Sequence, residues 1–420
     1  MRAQHDLERS DSGVVVVGAS LAGVAVVEQL RAGHHAGHIT MIDAGEELPY
    51  DRPPLSKQFL SGTLPAERLA LKPPEWFDDN RVDREFGVAA ARLCVGSGGQ
   101  RIAVILADGR RLEGQEVVIA TGGRAIIPHS GTADFSAIRT LRTLSDAQLL
   151  RGALTTRNGH LLVVGAGFIG LEVASAAAKL GWRVTVVDLA SSPLQRVLPP
   201  EVVAHCLAGI PAEQVDLRCD TALVDARRFG DRLEVTLSDG SVERFDELVA
   251  GIGMRPNTEW LEGSGIAIDD GVTCDGQGRT SVPHVWAAGD VARWPNTSTG
   301  QHRRLEQWQS AREQGRIVGR AILGGRDTWD VPPYFWTELF GRRIQVVGAL
   351  GPGMGVRTFA DDRGRSISLV GDRSLSAVVV IGNPTWTAAG RRWLMDGRTV
   401  DDAADHAAEL VVPVIETVHH

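Results

Sequence analysis

Residues 161–170 read LLVVGAGFIG, and residues 14–23 read VVVVGASLAG. In each stretch four apolar residues predict a buried strand, the glycines predict a tight turn, and an apolar helical pattern follows. A further apolar strand then ends in an acid, which is Asp188 in one case and Asp43 in the other. This order of strand, glycine turn, helix, strand and acid is typical of a unit that binds a dinucleotide. The sequence therefore predicts two such units.

The residue types in these turns suit the binding of a pyrophosphate. Glycine lets the backbone of the turn approach the phosphates, and the helix that follows offers unpaired N–H groups and the positive end of its dipole. The acid accepts hydrogen bonds from an adenosine ribose. Ser20 stands where the pattern usually has its second glycine. Because serine is small, we expect the turn to persist.

The rest of the chain places the two units in one α/β protein. Glu116–Gly123 and Val285–Asp290 each predict an apolar strand that runs into a glycine turn, and Asp-Gly pairs at 108–109 and 239–240 predict hairpins. The second nucleotide unit is therefore expected to be inserted in the first. The predicted fold is α/β, with two Rossmann-like dinucleotide-binding domains and a small C-terminal α+β domain. The expected bounds are 1–120 and 247–330 for the first nucleotide domain, 121–246 for the second, and 331–420 for the C-terminal domain.

Composition and charge argue against several classes of protein. The chain has 420 residues and a formal net charge of −8, whereas nucleic-acid binding needs a concentrated basic face. Apolar runs such as Val14–Val17 and Val378–Ile381 are far too short to span a membrane. Residues 1–12 are polar and charged and lack the apolar core of a signal peptide. We expect a cytoplasmic protein that binds neither nucleic acid nor membrane.

The cysteines do not follow the spacing of a redox or metal site. The chain has four of them, Cys94, Cys206, Cys219 and Cys274, and none lies in a C-x-x-C pair. This spacing predicts no redox disulfide, iron–sulfur site or zinc site. We therefore expect reduced structural thiols and no bound metal.

Several longer motifs resemble those of one known family. They are PYDRPPLSK at 49–57, LRTL at 141–144, VVGAGFIGLEV at 163–173, AAGD at 287–290, EQW at 306–308 and YFWT at 334–337. Through them the sequence resembles the putidaredoxin-reductase type of FAD-dependent ferredoxin reductases, within the glutathione-reductase-like two-dinucleotide flavoproteins. The resemblance covers roughly Val14 to Gly397. It implies that the first nucleotide domain binds FAD and the second binds NAD.

The resemblance also implies which residues bind the two cofactors. Asp290 would hold the ribityl chain of FAD, and Ala90 would cover the adenine through its backbone. Trp308 and Trp336 would flank the isoalloxazine ring. The implied FAD residues are Gly18, Ser20, Ala22, Gly23, Asp43, Arg52, Lys57, Ala90, Ala120, Thr121, Gly122, Arg142, Gly289, Asp290, Glu306, Gln307, Trp308 and Trp336. The implied NAD residues are Gly165, Gly167, Phe168, Ile169, Gly170, Asp188, Arg196, Gly251 and Gly253.

The sequence departs from the family at the acid of the first unit. The family usually has glycine and then an acid after the second strand, whereas this chain has Asp43 and then Ala44. The ribose contact therefore either moves by one residue or is made by Glu46 or Glu47.

The resemblance implies an NADH-dependent ferredoxin reductase, in which hydride passes from NADH to FAD and single electrons then pass to a separate [2Fe–2S] ferredoxin. The implied catalytic residues are Lys57, Glu172 and Trp336. Lys57 would place positive charge beside the reduced flavin, and Glu172 would be a counter-charge near the nicotinamide. The ferredoxin would serve a haem-thiolate or Rieske oxygenase. Asp188 and the absence of a cation from 189–195 favour NADH over NADPH.

Other functions remain open at this point. A disulfide reductase or NADH peroxidase needs a cysteine beside the flavin, and the sequence has none at the expected places. A reductase of rubredoxin or another small acceptor shares the flavin machinery, and an apoptosis-inducing-factor-like protein would use NADH to switch a partner.

The candidate site residues also have ordinary structural alternatives. Asp290 could cap a following helix. Trp308 and Trp336 could be core aromatics. Lys57 could be a solvated charge and Glu172 an ordinary helix carboxylate.

Overall fold

The computed structural model describes residues 13–96, 102–128, 138–296, 300–329, 331–351 and 353–411. The chain divides into two compact units, and each is built from separate stretches of sequence. The first unit is formed by the described residues within Met1–Asp51, Ala66–Arg124 and Met254–Asp330. The second is formed by those within Arg52–Pro65, Ala125–Gly253 and Val331–His420.

The helices and strands follow one another in mixed α/β order. The α-helices are α1 (Leu21–Ala32), α2 (Pro74–Asp79), α3 (Leu144–Thr156), α4 (Phe168–Lys179), α5 (Pro200–Leu207), α6 (Trp308–Ile322), α7 (Pro384–Met395) and α8 (Val400–Val411). Shorter helical turns are the π-helical turn Leu55–Phe59 and the 3₁₀ turns Ala66–Leu69 and Glu259–Leu261. Among the residues that the structure describes, no helix has both the length and the apolar character to cross a membrane.

The strands among the described residues are short, with two to seven residues each. They are β1 (Val14–Val17), β2 (Ile39–Asp43), β3 (Val82–Phe86), β4 (Ala90–Val95), β5 (Ile102–Leu106), β6 (Arg111–Gly114), β7 (Glu116–Ile119), β8 (Gly123–Ala125), β9 (Ile138–Arg139), β10 (His160–Val164), β11 (Arg183–Val187), β12 (Val215–Arg218), β13 (Leu223–Phe229), β14 (Arg232–Leu237), β15 (Val242–Phe245), β16 (Glu247–Ala250), β17 (Met254–Pro256), β18 (Val272–Thr273), β19 (Val285–Ala287), β20 (Ala292–Pro295), β21 (His302–Arg304), β22 (Tyr334–Leu339), β23 (Arg342–Gly348), β24 (Val356–Ala360), β25 (Ser366–Val370) and β26 (Ala377–Ile381).

A parallel sheet forms the centre of the first unit, with the strand order β19-β7-β1-β2-β3. The four valines of β1 are all buried, as expected for a parallel strand that is covered on both faces. Helix α1 follows β1 and packs closely against α6. A Cβ added at Gly315 of α6 would lie 2.4 Å from the carbonyl oxygen of Ala22 in α1, so glycine is needed for this approach. Antiparallel sheets β4-β5-β6 and β18-β20-β21 complete the unit.

The second unit contains a second parallel sheet and an antiparallel C-terminal sheet. The parallel sheet has the order β12-β11-β10-β16-β9, and α4 connects β10 to β11. The C-terminal sheet has the order β22-β23-β26-β25-β24, and Trp386 and Trp393 of α7 are buried with residues of β25, β26 and α8. The predicted fold class, with two Rossmann-like units and a C-terminal α+β part, is confirmed.

The strand pairing bears on one expected domain boundary. The predicted second nucleotide domain ended at residue 246, but β16 pairs with the central strand β10 of the second unit. Removing β16 would open this sheet between β10 and β9. The second unit gives way to the first between Gly253 and Met254. We therefore propose that the second nucleotide domain extends to Gly253.

Candidate functional site

The first glycine turn follows β1 and has little space for side chains. Gly18 has a φ of +115°, and a Cβ added there would lie 2.2 Å from the carbonyl oxygen of Ala120. Ser20 is extended, with φ −108° and ψ 176°, and its hydroxyl accepts a hydrogen bond from Gly23 N at 3.4 Å. The same hydroxyl donates to Ala120 O at 3.1 Å. The expectation that serine preserves the turn is therefore confirmed, since Ser20 also caps α1.

The second glycine turn follows β10 and leaves open space beside its middle glycine. Gly165 has a φ of +106°, and an added Cβ would lie 2.5 Å from Gly251 O. At Gly167, by contrast, the nearest atom to an added Cβ is 3.9 Å away. No side chain from the described residues caps α4, which begins directly after Gly167. The free N–H groups of this helix and the open space suit a bound pyrophosphate.

The two acids expected at the riboses occupy equivalent positions. One carboxylate oxygen of Asp43 accepts from the backbone N–H of Ala19 in the first turn, at 2.7 Å. One carboxylate oxygen of Asp188 accepts from Ala166 in the second turn, at 2.5 Å. In both cases the other oxygen accepts, at 2.8 Å, from the N–H two residues beyond the acid. Asp43 thus corresponds to Asp188 in three dimensions, and the geometry favours it over Glu46 or Glu47 as the first ribose acid.

The remaining residues that the first unit contributes to the expected FAD set lie mostly where its parallel strands end. The carboxyl ends of parallel strands meet at one edge of a sheet, which is where ligands bind in such folds. Ala22 and Gly23 lie in the first turn of α1, Ala120, Thr121 and Gly122 follow β7, Gly289 and Asp290 follow β19, Glu306, Gln307 and Trp308 lead into α6, and Ala90 begins β4.

Two of the ordinary alternatives for this set are wrong. Asp290 cannot cap a following helix, because the chain continues through a turn into β20. Trp308 is not a core aromatic, because it is 40% exposed and its indole N–H donates to Asp51 at 2.7 Å. A polar partner at one end and an exposed ring surface leave this indole available to a flat ligand.

A buried cluster of charged and hydroxyl side chains lies in the second unit. The Lys57 ammonium lies 2.7 Å from the Glu172 carboxylate, and their side chains are only 7% and 4% exposed. The Thr337 hydroxyl donates to the same carboxylate oxygen at 2.5 Å, and the Ser56 hydroxyl donates to the other oxygen. Lys57 also donates to the carbonyl oxygen of Pro53 at 3.1 Å. Lys57 is therefore not a solvated charge, and Glu172 is not an ordinary helix carboxylate.

Trp336 lies against two cations. The Lys57 ammonium is 5.1 Å from the centre of its indole ring, and the Arg343 guanidinium is 4.8 Å from it. Trp336 is partly exposed, so it is not a fully buried core aromatic. Cations over an aromatic face are attracted by the ring's electrons and restrict its orientation. The cluster therefore joins a buried ion pair to a partly exposed aromatic ring.

The other expected residues of the second unit lie at the start of α4 or in loops. Phe168 contacts Phe335 edge to face, with ring centres 5.1 Å apart, and Ile169 is exposed beside it. Arg142 precedes α3, where its N–H donates to Asp146 at 3.0 Å. Gly170 lies in α4, Gly251 and Gly253 follow β16, Arg196 is exposed after β11, and Arg52 precedes the π-helical turn.

Sequence reasoning did not identify Ser56 and Thr337 as site residues. Each is directly adjacent in sequence to a predicted catalytic residue, Lys57 or Trp336. For Ser56 the available signal was a hydroxyl next to a rare lysine in a proline-rich loop. The contacts with Glu172 could not be predicted from sequence, because Ser56 lies 116 positions and Thr337 165 positions from Glu172.

The cysteines form no disulfide, and the two buried thiols are poor nucleophiles. All four are free thiols, and Cys206 and Cys274 are buried. Burial raises the pKa of the Cys206 thiol to about 12 and raises that of Cys274 well above its ordinary value. Within the described ranges, no group of three histidine, cysteine, aspartate or glutamate residues could hold a metal ion.

Comparison with known proteins gives a consistent result. Residues 12–315 match the family described as pyridine nucleotide-disulphide oxidoreductase, and residues 334–411 match that described as reductase C-terminal. The chain is 35% identical over 342 residues to the benzene 1,2-dioxygenase system ferredoxin–NAD(+) reductase subunit of Pseudomonas putida, a match that covers 81% of this chain and 82% of that protein.

The solved structures that this chain resembles include two that match nearly all of it. One is the covalent putidaredoxin reductase–putidaredoxin complex, with a TM-score of 0.85 and 30% identity, covering 92% of this chain and 94% of the matched chain. The other is the ferredoxin reductase for the CYP199A2 system from Rhodopseudomonas palustris, with a TM-score of 0.88 and 29% identity, covering 96% and 100%.

Proposed function

The chain belongs to the pyridine nucleotide-disulphide oxidoreductases, and within them to the putidaredoxin-reductase type of ferredoxin reductases; on that premise we propose that it binds FAD, oxidises NADH and reduces a [2Fe–2S] ferredoxin. Enzymes of this family use a flavin and a pyridine nucleotide. The observation that carries the proposal is the combination of two dinucleotide turns and a buried lysine–glutamate pair with free cysteines. Without a redox disulfide, electrons must leave to a separate acceptor.

The residues at the two turns fit dinucleotides. We propose that FAD binds at the first turn, where the N–H groups of α1 face its pyrophosphate and Asp43 accepts from its ribose. NADH binds at the second turn, where Gly167 has open space and α4 lacks a side-chain cap among the described residues. Asp188 accepts from the ribose of NADH. The further FAD and NAD residues implied by the resemblance remain part of this proposal.

The chain's own contribution to the reaction is to position the reactants and to provide fixed charges. Bound FAD would supply the chemistry of accepting a hydride and releasing single electrons. Lys57 holds a positive charge at one place in a water-poor environment, where electrostatic interactions are stronger than in water. We propose that this charge stabilises the reduced cofactor and that Glu172 holds the Lys57 ammonium in place. Trp336 would lie at the edge of the reacting site.

Two observations support the proposed acceptor. One is the names of similar proteins, and the other is that the sequence lacks the cysteine spacing of an iron–sulfur site. The relative from Pseudomonas putida is named as part of a dioxygenase system, and one similar structure contains putidaredoxin. We propose that a [2Fe–2S] ferredoxin takes the electrons and serves a haem-thiolate or Rieske oxygenase. We also propose a cytoplasmic location, because reducing compartments keep cysteines as free thiols, as they are here.

The purified protein is expected to be yellow and to release one FAD per chain and no FMN. The reason is that the first unit has the turn, helix and acid that hold an adenine dinucleotide, and FMN has no adenosine ribose for the acid to bind. Chromatography of the flavin released by heat or acid measures this directly, and anaerobic addition of NADH should bleach the bound flavin. Release of FMN, or a flavin that NADH leaves oxidised, would contradict the proposed function.

A further inference from the structure

The Glu172 carboxylate is held by more groups than an ion pair requires. Lys57 and Thr337 both donate to one of its oxygens, at 2.7 and 2.5 Å, and Ser56 donates to the other. A carboxylate has about four sites for hydrogen-bond donors, so most of them are filled by this chain alone. The orientation of Glu172 is therefore determined before any cofactor binds.

The two hydroxyl residues are buried, and each belongs to a segment that carries a predicted catalytic residue. Ser56 is 3% exposed and precedes Lys57 in the π-helical turn, while Thr337 is 1% exposed and follows Trp336 in β22. Such wide helical turns are rare and occur frequently at functional sites. Each hydroxyl therefore adds a hydrogen bond between Glu172 of α4 and a segment that carries a predicted catalytic residue.

Further contacts join α4 to the strand that carries Trp336. The backbone N–H of Phe340, next to the end of β22, donates to the Ser175 hydroxyl of α4 at 2.9 Å. Phe168, at the start of α4, contacts Phe335 edge to face. Thr337 lies between these two contacts along the strand, so β22 is attached to α4 along most of its length. The Thr337–Glu172 hydrogen bond is the one of these contacts that involves a charged group.

We propose that Ser56 and Thr337 are positioning residues, which fix the two oxygens of Glu172 and thereby hold the Lys57 ammonium against Trp336. This inference rests on the proposed function, because it assigns the fixed charge to the reaction of NADH with the flavin. Neither hydroxyl contacts the nucleotide in this account. Loss of a hydroxyl should therefore slow flavin reduction without weakening the binding of NADH.

The test compares Thr337→Val with a matched control in the same sheet. Thr337→Val keeps the shape of the side chain but removes the donor to Glu172. The control, Thr358→Val, removes a partly buried hydroxyl that bonds to Ser368 at 2.8 Å and touches no charged group of the cluster. Stopped-flow mixing of the flavin-loaded proteins with NADH gives both the reduction rate constant and the NADH dissociation constant.

We expect the reduction rate constant of Thr337→Val to fall by about tenfold, as for the loss of one hydrogen bond to a charged group, with the NADH dissociation constant nearly unchanged. Thr358→Val should reduce like the original protein, and Thr337→Ser, which restores a hydroxyl, should recover most of the rate. Ser56→Ala should lower the rate in the same way, which keeps the test informative if Thr337→Val folds poorly.

Three results would overturn the inference. They are unchanged reduction in both Thr337→Val and Ser56→Ala, an equal loss in Thr358→Val, and failure of Thr337→Ser to recover. If the original protein itself binds no FAD or is not reduced by NADH, the proposed function is wrong and the inference falls with it. The two kinds of failure are thus distinguished by the behaviour of the unsubstituted protein.

Discussion

Glu172→Ala is expected to lower the free energy of unfolding by about 3–5 kcal/mol. The side chains of Lys57 and Glu172 are almost fully buried, so the substitution leaves the lysine charge without its partner. It also removes the acceptor of the Ser56 and Thr337 hydroxyls. Urea unfolding measures the change in free energy. Glu213→Ala, which removes an exposed carboxylate of the same unit, should change it by less than about 0.5 kcal/mol.

A double variant separates the stability of this pair from its role in the reaction. Lys57→Met combined with Glu172→Leu removes both charges and keeps most of the volume, so it should regain part of the lost stability. The recovery is incomplete because the Ser56 and Thr337 hydroxyls lose their acceptor. The rate constant of flavin reduction by NADH should nevertheless be lower than in the original protein, because the fixed positive charge is gone. Reduction at the original rate in the double variant would contradict the proposed role of Lys57.

The second large effect is a preference for NADH, with kcat/KM roughly 10–100-fold above that for NADPH. Asp188 is anchored by Ala166 and Ala190, so its carboxylate is fixed where we propose that the adenosine ribose binds. A 2′-phosphate would lose a hydrogen bond to this acid and be repelled by it. Arg218, on the neighbouring strand, cannot readily compensate because it is already paired with Asp216 and Glu243. Steady-state kinetics with ferricyanide as acceptor measures the ratio.

The matched control for this preference is the equivalent acid of the first unit. Asp188→Ala should bring the NADH to NADPH ratio close to one. Asp43→Ala removes the same pair of backbone hydrogen bonds from the other turn. It should weaken the binding of FAD but leave the ratio unchanged once FAD is saturating. A preference that survives Asp188→Ala, or that Asp43→Ala also abolishes, would show that Asp188 does not set it.

The dinucleotide units could be predicted because their determinants are close together in sequence. Gly165 needs a positive φ, which is a local requirement, although the carbonyl of Gly251 that it approaches follows the distant strand β16. Ser20 could be tolerated for an equally local reason, since its hydroxyl bonds to Gly23 three residues on. The choice of Asp43 over Glu46 or Glu47 was harder to foresee. The family pattern placed the first acid one residue away, whereas the backbone hydrogen bonds of both acids are the same.

The buried cluster shows what could not be predicted from the sequence. Lys57, Glu172 and Trp336 were identified through a resemblance, but no local pattern indicates that they meet. The hydrogen bond from Ser56 to Glu172 spans 116 positions, and packing of separate chain segments brings the two together. The proposed extension of the second nucleotide domain to Gly253 was not predicted for a related reason. The pairing of β16 with β10 joins strands that are far apart in sequence, and an apolar strand pattern does not reveal its neighbour.

Anaerobic reduction of a [2Fe–2S] ferredoxin by NADH tests the central claim most directly. Purified protein, loaded with FAD, is mixed with NADH and a panel of [2Fe–2S] ferredoxins that includes putidaredoxin, and the absorbance of the cluster is followed. We expect catalytic reduction of at least one of them, with two ferredoxin molecules reduced for each NADH oxidised. Rapid reduction of ferricyanide without reduction of any ferredoxin, together with reduction of rubredoxin, would identify a different acceptor. If NADH reduces the bound flavin once and no acceptor is then turned over, the result would contradict the account and favour an NADH-sensing protein.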